Sequence, residues 1–378
     1  MARVILQGFS TLLLCARAVA VPQAAAITPV VASTTSYGSL SNAGLTRDSC
    51  TSSAWWGSVV LWVCRDTEQV VNGAPVLPVV ASTASYSGLP VSKTNPQPLV
   101  LTSPQGFTTP FYSLESDECP NYGACSDGTR WVGWPDTSPV VTFQGTTPGQ
   151  VNAYAFIARQ HLNGLTVENQ RSYTLYHLLA QTTGPMPAVS VDVSQFWSTA
   201  QIGYGSAASV VRNGFATKAY LYGATPNGKL AVARAATAGF LGALDDKSVY
   251  QYYVNGAWTS TTPVWTDTTI PLPNTSDVQG TIYWSPKWSS YVWIGGDSFP
   301  DANFYISTAP NPEGPWTAAK LFYTGTAGVG SLPAYSALAH PSLTDGTGDY
   351  IFISWTRTIN NAQGNQVYDQ PLVRVDWS

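Results

Sequence analysis

Two aspartates sit in matched settings, Arg47-Asp48-Ser49 and Arg65-Asp66-Thr67. The chain has few acids to spare, since its 378 residues carry only 21 Asp and Glu together. Two carboxylates facing each other across a gap suit hydrolysis of a glycosidic bond. One activates water or protonates the leaving oxygen, and the other attacks or stabilises the oxocarbenium-like carbon. A third acid, Asp136, lies in Trp131-Val132-Gly133-Trp134-Pro135-Asp136-Thr137. Indoles beside a carboxyl group can stack on a sugar ring and raise the acid's pKa by desolvation. The same residues have plainer uses. An Asp before Ser or Thr at a strand end commonly caps backbone donors, Arg47 and Arg65 can pair with the acids beside them, and Asp136 can cap a loop next to core tryptophans. Glu168, Asp297 and Asp301 fall in segments that read as outer loops.

Of the three histidines, His340 precedes Pro341 and is a candidate to orient a sugar hydroxyl or a central ion, with a structural role as the alternative. His177 lies on an aromatic strand and reads as core; His161 has no clear assignment. Tyr204, Trp284 and Trp355 fall at strand starts or ends, where rings can line a funnel and pack on sugar faces or join sheet to sheet. There is no Gly-x-Ser-x-Gly elbow, HExxH helix, Walker loop or EF-hand, and Gly203-Tyr204-Gly205 lacks a strand–helix context. No cofactor and no metal ligand set are expected, a central structural ion being left open.

The elements that must position these groups read as strands. Charged residues make up 10% of the chain and hydrophobic ones 44%, with 14 Trp, 20 Tyr, 32 Gly and 27 Pro. That balance excludes a disordered chain and fits a turn-rich all-β protein. The net charge of −4 argues against a nucleic-acid binder. Short aromatic and β-branched runs recur between turn residues, at 58–64, 151–158, 173–179, 208–211, 219–223, 230–234, 281–284, 291–294, 303–307, 350–355 and 372–377. Only 235–247 hints at a short helix. The runs group without a fixed period into about five units, 46–100, 101–190, 200–265, 277–330 and 335–378, and the expected fold is a five-bladed β-propeller of four-stranded antiparallel blades. Ile27-Thr28-Pro29-Val30-Val31 can pair with the last unit and close the ring, removing an open edge. A two-sheet sandwich with a second domain is the alternative.

The N-terminus sets the expected compartment. Arg3, the apolar run to Cys15 and Ala18-Val19-Ala20 read as a signal peptide over 1–20, leaving one propeller domain over 27–378. No later run is long and apolar enough to span a membrane, so the protein is expected to be secreted, extracellular and monomeric. Of five Cys, Cys15 lies in the leader. The remaining four favour the bridges Cys50–Cys64 and Cys119–Cys125, although four cysteines allow three pairings. Their spacing fits no zinc pattern. Asn274-Thr275-Ser276 is an N-glycosylation sequon.

The opening segment, Thr46-Arg47-Asp48-Ser49-Cys50 and Leu61-Trp62-Val63-Cys64-Arg65-Asp66-Thr67-Glu68, resembles the first blade of the DUF4185 family. The likeness to the family continues in the third unit with Gly203-Tyr204-Gly205-Ser206-Ala207, in the fourth with Gln279-Gly280-Thr281-Ile282-Tyr283-Trp284 and Gly314-Pro315-Trp316, and in the fifth with Tyr335 through Pro341. The likeness covers most of the mature chain through short motifs shared with other five-bladed glycosidase propellers. It implies a propeller related to furanosidase-type glycoside hydrolases, some of them similar to endo-arabinan hydrolases. By resemblance Asp48 and Asp66 are the active-site carboxylates, Asp48 as nucleophile or base, and His340 falls where related propellers carry a His-Pro near the axis. Asp136 is a third acid, and Arg47, Arg65, Trp134, Tyr204, Gln279, Trp284, His340 and Trp355 are expected to contact substrate. Cys50 departs from the small residue that commonly follows the family's Arg-Asp pair. The expected activity is therefore hydrolysis of a polysaccharide or furanose-containing glycan. Two other readings stay open: a polysaccharide lyase using His340, Tyr204 and Arg47, and an inactive carbohydrate-binding or host-interaction propeller.

Overall fold

A computed structural model describes residues 27–40, 42, 44–102, 109–145, 149–182, 184–212, 218–237, 244–296 and 298–378. The proposed signal peptide and Asp297 lie outside the described residues. Nearly all regular structure is antiparallel sheet, because apolar residues here alternate with period two or run continuously through short segments bounded by turns.

Five main sheets follow in chain order. The first holds Cys50–Trp56, Val59–Cys64 and Thr83–Ser87, and the second Val140–Gln144, Val151–Ala158, Tyr173–Gln181 and Gly184–Trp197. The third runs Ala208–Arg212, Lys218–Ala224, Leu230–Ala236, Tyr250–Val254 and Ala257–Thr259. The fourth is Gly280–Ser285, Ser290–Gly295, Asn303–Ala309 and Lys320–Thr324. The fifth takes Ala334–Ala339, Tyr350–Asn360 and Pro371–Trp377, with Gln366–Asp369 beside Tyr350–Asn360. Its outer strand is Val31–Ser39, paired antiparallel with Pro371–Trp377. Two small three-stranded sheets hang outside these, one of them starting with Leu45–Arg47 and the other with Arg130–Val132. The uniform four-stranded expectation needs correcting, since the first sheet has three described strands and the third has five. Of the helix hinted at 235–247, residues 238–243 lie outside the described residues; Ala235 is in a strand and Lys247 opens a 3-10 turn, Lys247–Val249.

The strands are apolar on both faces because each sheet is covered on both sides. In Val59–Cys64, Leu61 and Val63 join a cluster with Val151, Ala153 and Ala155 of the second sheet. Val60 and Trp62, pointing the other way, pack with Phe352 and Leu372 of the fifth. The same alternation continues onward. Phe156 and Ala158 meet Leu221 and Ala233, Tyr222 and Val232 meet Ile282 and Trp293, and Val292 and Ile294 meet Ile351 and Ile353. The opening strands of consecutive sheets lie side by side, from Cys50–Trp56 through to Ala334–Ala339. Between them is a cavity of about 680 Å³ lined by Ser52, Ala54, Val140, Thr142, Ser209 and Tyr283 among others.

Both expected disulfides form. Cys50 and Cys64 are directly opposed in register across the first hairpin, and Cys119 and Cys125 bracket a tight loop. Among the described residues no helix is long and apolar enough to cross a membrane.

Candidate functional site

The polar cluster gathers where the opening strands begin. Asp48 and Ser49 lie just before Cys50–Trp56, Asp136 before Val140–Gln144 and Gln279 before Gly280–Ser285, while Tyr335 is the second residue of Ala334–Ala339. Short strands that start at a common end bring together residues that are more than two hundred positions apart in sequence.

The corner at 47–50 is braced from the fifth sheet. Gln370 donates from Nε2 to the Arg47 carbonyl at 2.8 Å and accepts the Cys50 N–H at 3.2 Å. Ser49 has φ 42°, an uncommon conformation for a residue with a side chain. Its N–H donates to Thr356 Oγ1 at 2.8 Å. That hydroxyl in turn donates to Asp48 Oδ1 at 3.1 Å. Tyr335 and Thr356 are directly opposed in register, so both side chains face Asp48, and the Tyr335 hydroxyl also hydrogen-bonds it. Asp48 is 6% exposed. Burial pushes its pKa up and the Asp66 charge adds to this, against Arg65 and the two hydroxyls, leaving it at about 7.

Arg65 bridges the cluster. It forms an ion pair with Asp136 and lies near Asp48. Burial pulls its pKa down, but these two carboxylates outweigh that and hold the guanidinium charged. Gln279 donates from Nε2 to the Asp136 carbonyl at 3.1 Å and to Ser49 Oγ at 3.0 Å. With 26% of its side chain exposed, Asp136 is the acid of this group most open to solvent.

Asp66 stands apart from the expected pairing. Its backbone carbonyl accepts the Asp48 N–H at 2.8 Å. Its carboxylate is taken by Arg130, at 2.7 and 3.2 Å, and by Trp134 Nε1 at 2.9 Å. Arg65 also lies over the Trp134 ring, 5.7 Å from its centroid. Asp66 thus ties the small outer sheets to the cluster, with its acceptor atoms already engaged.

Four expected substrate contacts need correction. Tyr204 is fully buried, packed against Trp197 and Tyr252, because the chain turns inward before Ala208–Arg212. Trp355 points into the core against Phe304 and Tyr323, with Nε1 donating to the Thr326 carbonyl. Arg47 is buried, bonded to Ser85 Oγ and 3.9 Å from Cys64 Sγ, and burial lowers its pKa to about 10. His340 is wholly buried under Trp62, its Nδ1 2.8 Å from Ser52 Oγ and its Nε2 2.7 Å from Ser354 Oγ. Both ring nitrogens are occupied, and burial lowers the pKa to about 3, so the ring is neutral and joins the first and fifth sheets. Trp284 is half-buried under Arg212, at the far end of its strand from Gln279.

The weaker candidates have local partners. Asp301 caps the N–H groups of Ala302 and Asn303, Glu168 accepts from Asn163, and His177 bonds Asn152. His161 stacks on Trp131 and bonds Thr129. Asn274 is exposed, and its Nδ2 donates to the Trp316 carbonyl at 3.0 Å. Among the described residues no group of three or more His, Cys, Asp or Glu is arranged to hold a metal ion.

Sequence reasoning missed Tyr335, Thr356 and Tyr368, the last of which hydrogen-bonds Tyr335. A period-two signal was available for Thr356. In Tyr350–Asn360, Ile351, Ile353 and Trp355 face the core of the fourth and fifth sheets. Phe352, Ser354 and Thr356 therefore face the first sheet, toward His340 and Asp48.

No curated protein matches the chain. Among solved structures, a Bacteroides ovatus protein provisionally described as a hydrolase is similar over 89% of this chain and 86% of its own, with TM-score 0.55 and 16% identity. That likeness concerns the fold. An exo-β-1,3-galactanase from Phanerochaete chrysosporium, solved with β-1,3-galactotriose, aligns over 90% of this chain and 63% of its own, at TM-score 0.46 and 11% identity. An α-L-arabinofuranosidase from Podospora anserina, solved with cellotriose, aligns over 92% and 98%, at TM-score 0.43 and 10% identity. The motif-level likeness to DUF4185 stands as a resemblance. A family model does match residues 180–373, just over half of the chain, and by it the protein belongs to DUF5005, a domain of unknown function.

Proposed function

We propose that the chain is a secreted glycoside hydrolase acting on a polysaccharide or furanose-containing glycan, built as a five-bladed ring that Val31–Ser39 closes. The observation that carries this reading is the convergence of Asp48, Arg65, Asp136, Gln279 and Tyr335 from four of the sheets at one end of the opening strands. The motif resemblance to DUF4185 and the five inter-sheet cores support it.

In this reading Asp48 replaces the expected Asp48–Asp66 pair as the central acid, and Asp136 is its partner. Asp48 accepts hydrogen bonds from two hydroxyls, which suits a carboxylate serving as base toward a water molecule. Asp136, held by Arg65 and reached by solvent, stabilises the positive charge that develops on the sugar ring. Asp66 positions the cluster through Arg130 and Trp134.

The test is reducing-end release from a panel of arabinans, galactans and xylans. Activity that Asp48→Asn and Asp136→Asn both abolish supports the assignment; full turnover in either variant sinks it. The low exposure of Asp48, 6%, favours a second reading, a carbohydrate-binding propeller without turnover. Tight binding of a glycan by the wild type with no product formed would select that one.

A further inference from the structure

At the opposite end of the third and fourth sheets lies a row of aromatic rings with an arginine stacked at each end. The Arg234 guanidinium sits 4.2 Å from the Trp258 centroid. Trp258 then meets Tyr220 at 6.4 Å, Tyr220 meets Tyr291 at 5.9 Å, and Tyr291 meets Trp284 at 5.1 Å. Arg212 finally covers Trp284 at 3.7 Å. The row follows from register. Arg212 opposes Lys218, Tyr220 opposes Arg234, Arg234 opposes Gln251, and Tyr253 opposes Trp258. Directly opposed residues share a face, so the residues of this one face bring three positive charges beside the half-buried rings of Trp258, Tyr220 and Trp284, with Tyr291 buried between the two sheets. The alternate residues, Ala219, Leu221, Ala233 and Tyr252, are spent on the core against the second sheet.

These arginines differ from most others in the molecule. Arg65, Arg130, Arg159, Arg357 and Arg374 are all ion-paired with carboxylates. Among the described residues Arg212 and Arg234 have no such partner. Arg234 donates from Nε to Gln251 at 2.8 Å, and Arg212 hydrogen-bonds Tyr291. A guanidinium held over an indole is restricted in orientation, and its N–H groups keep the fork that matches a carboxylate or sulfate. Trp284 is five residues beyond Gln279, which immediately precedes its strand, about 16 Å at roughly 3.3 Å per residue, so the row is separate from the Asp48 cluster.

We infer that this face binds an anionic glycan segment, one bearing carboxylate or sulfate groups, laid along the rings with an acidic group at each stacked arginine. The half-buried rings offer apolar surface to sugar rings beside the guanidinium groups that cover Trp258 and Trp284, and the unneutralised arginines select for charge in a chain that is otherwise acidic.

The test is calorimetric titration of the full chain with oligogalacturonate, a sulfated oligosaccharide of similar length, and a neutral xylo-oligosaccharide. At least one acidic oligomer should bind, and should weaken about tenfold or more in Arg212→Gln/Arg234→Gln and again in about 0.5 M salt, where exposed charge pairs are screened. Preference between the acidic oligomers identifies carboxylate or sulfate as the recognised group. Arg234→Lys keeps charge without the fork and should lose a few-fold only. Should the double variant fail to fold, the single Arg234→Gln carries the same test, because its guanidinium lies at the surface against Gln251 and Trp258. Equal affinity for the neutral oligomer, unchanged affinity in the folded Gln variant, or no binding of either acidic oligomer overturns the inference.

Discussion

The segments around Arg47-Asp48 and Arg65-Asp66 share a dipeptide and are even hydrogen-bonded to each other through their backbones, yet they put it to opposite uses. In the first, the arginine is buried against Ser85 and Cys64, and the aspartate is turned toward Thr356, Tyr335 and Arg65. In the second, the arginine reaches into the cluster and the aspartate is anchored by Arg130 and Trp134. Neither arginine is ion-paired with the acid that follows it. A carboxyl group held by an ion pair and an indole has its acceptors filled; one largely buried among hydroxyls is poised near neutrality. Environment, and not motif, separates the buried acid poised near neutrality from the anchored one.

The strongest way to break this contrast is to exchange the acids. Asp48→Asn should lower kcat by about 10²–10⁴, the range for removing a proton-transfer group. In the wild type, kcat/KM should rise with pH through about 7 as Asp48 ionises, and that limb should vanish in the variant. Stability gives an independent readout. Asp48 has a folded pKa of about 7 against 3.8 for the free, solvent-exposed side chain, so between these pH values the folded state keeps a proton that the unfolded state has released. Stability therefore falls as pH rises from about 4 to about 7 and levels off above. Chemical denaturation of Asp48→Asn across the same range should lose that slope.

Asp66→Asn is the converse exchange. It leaves Arg130 without its partner in a partly buried setting, and should cost about 1–3 kcal/mol in denaturant unfolding. Because the Asp66 charge helps to raise the Asp48 pKa, the activity limb should move below 7 while remaining present. A loss of turnover as deep as that of Asp48→Asn would return Asp66 to a chemical role. Of comparable size is the effect of the bridge that stiffens the corner between the two segments: Cys50→Ser/Cys64→Ser should lower stability by about 2–4 kcal/mol.

Much of the fold was legible because the sheets are buried on both faces and bounded by turns. The runs expected at 151–158 and 291–294 lie within strands Val151–Ala158 and Ser290–Gly295. The strand Gly184–Trp197 was missed because its apolar residues alternate with polar ones on a partly exposed surface. Within the cluster, Asp48, Arg65 and Asp136 were named from residue type and setting, and Gln279 through the family resemblance. Which acid would be buried was not legible, since that depends on Thr356 and Tyr335, roughly three hundred positions away and brought in by strand register. Tyr204 and Trp355 misled for the same reason: an aromatic ring at a strand end is satisfied equally by a core or a cleft, and only its face decides.

The finest test of the contrast leaves both acids in place. Thr356→Val keeps the side-chain shape but removes a donor to Asp48 Oδ1 and an acceptor for the Ser49 N–H. The hydroxyl bond lowers the Asp48 pKa, so its loss should carry the activity limb above 7, opposite to the shift in Asp66→Asn. The stranded N–H should cost about 1–3 kcal/mol. Opposed shifts from the two variants, read on one pH profile, would place Asp48 at the centre of the titration; a shift in the same direction for both would assign that limb to another group.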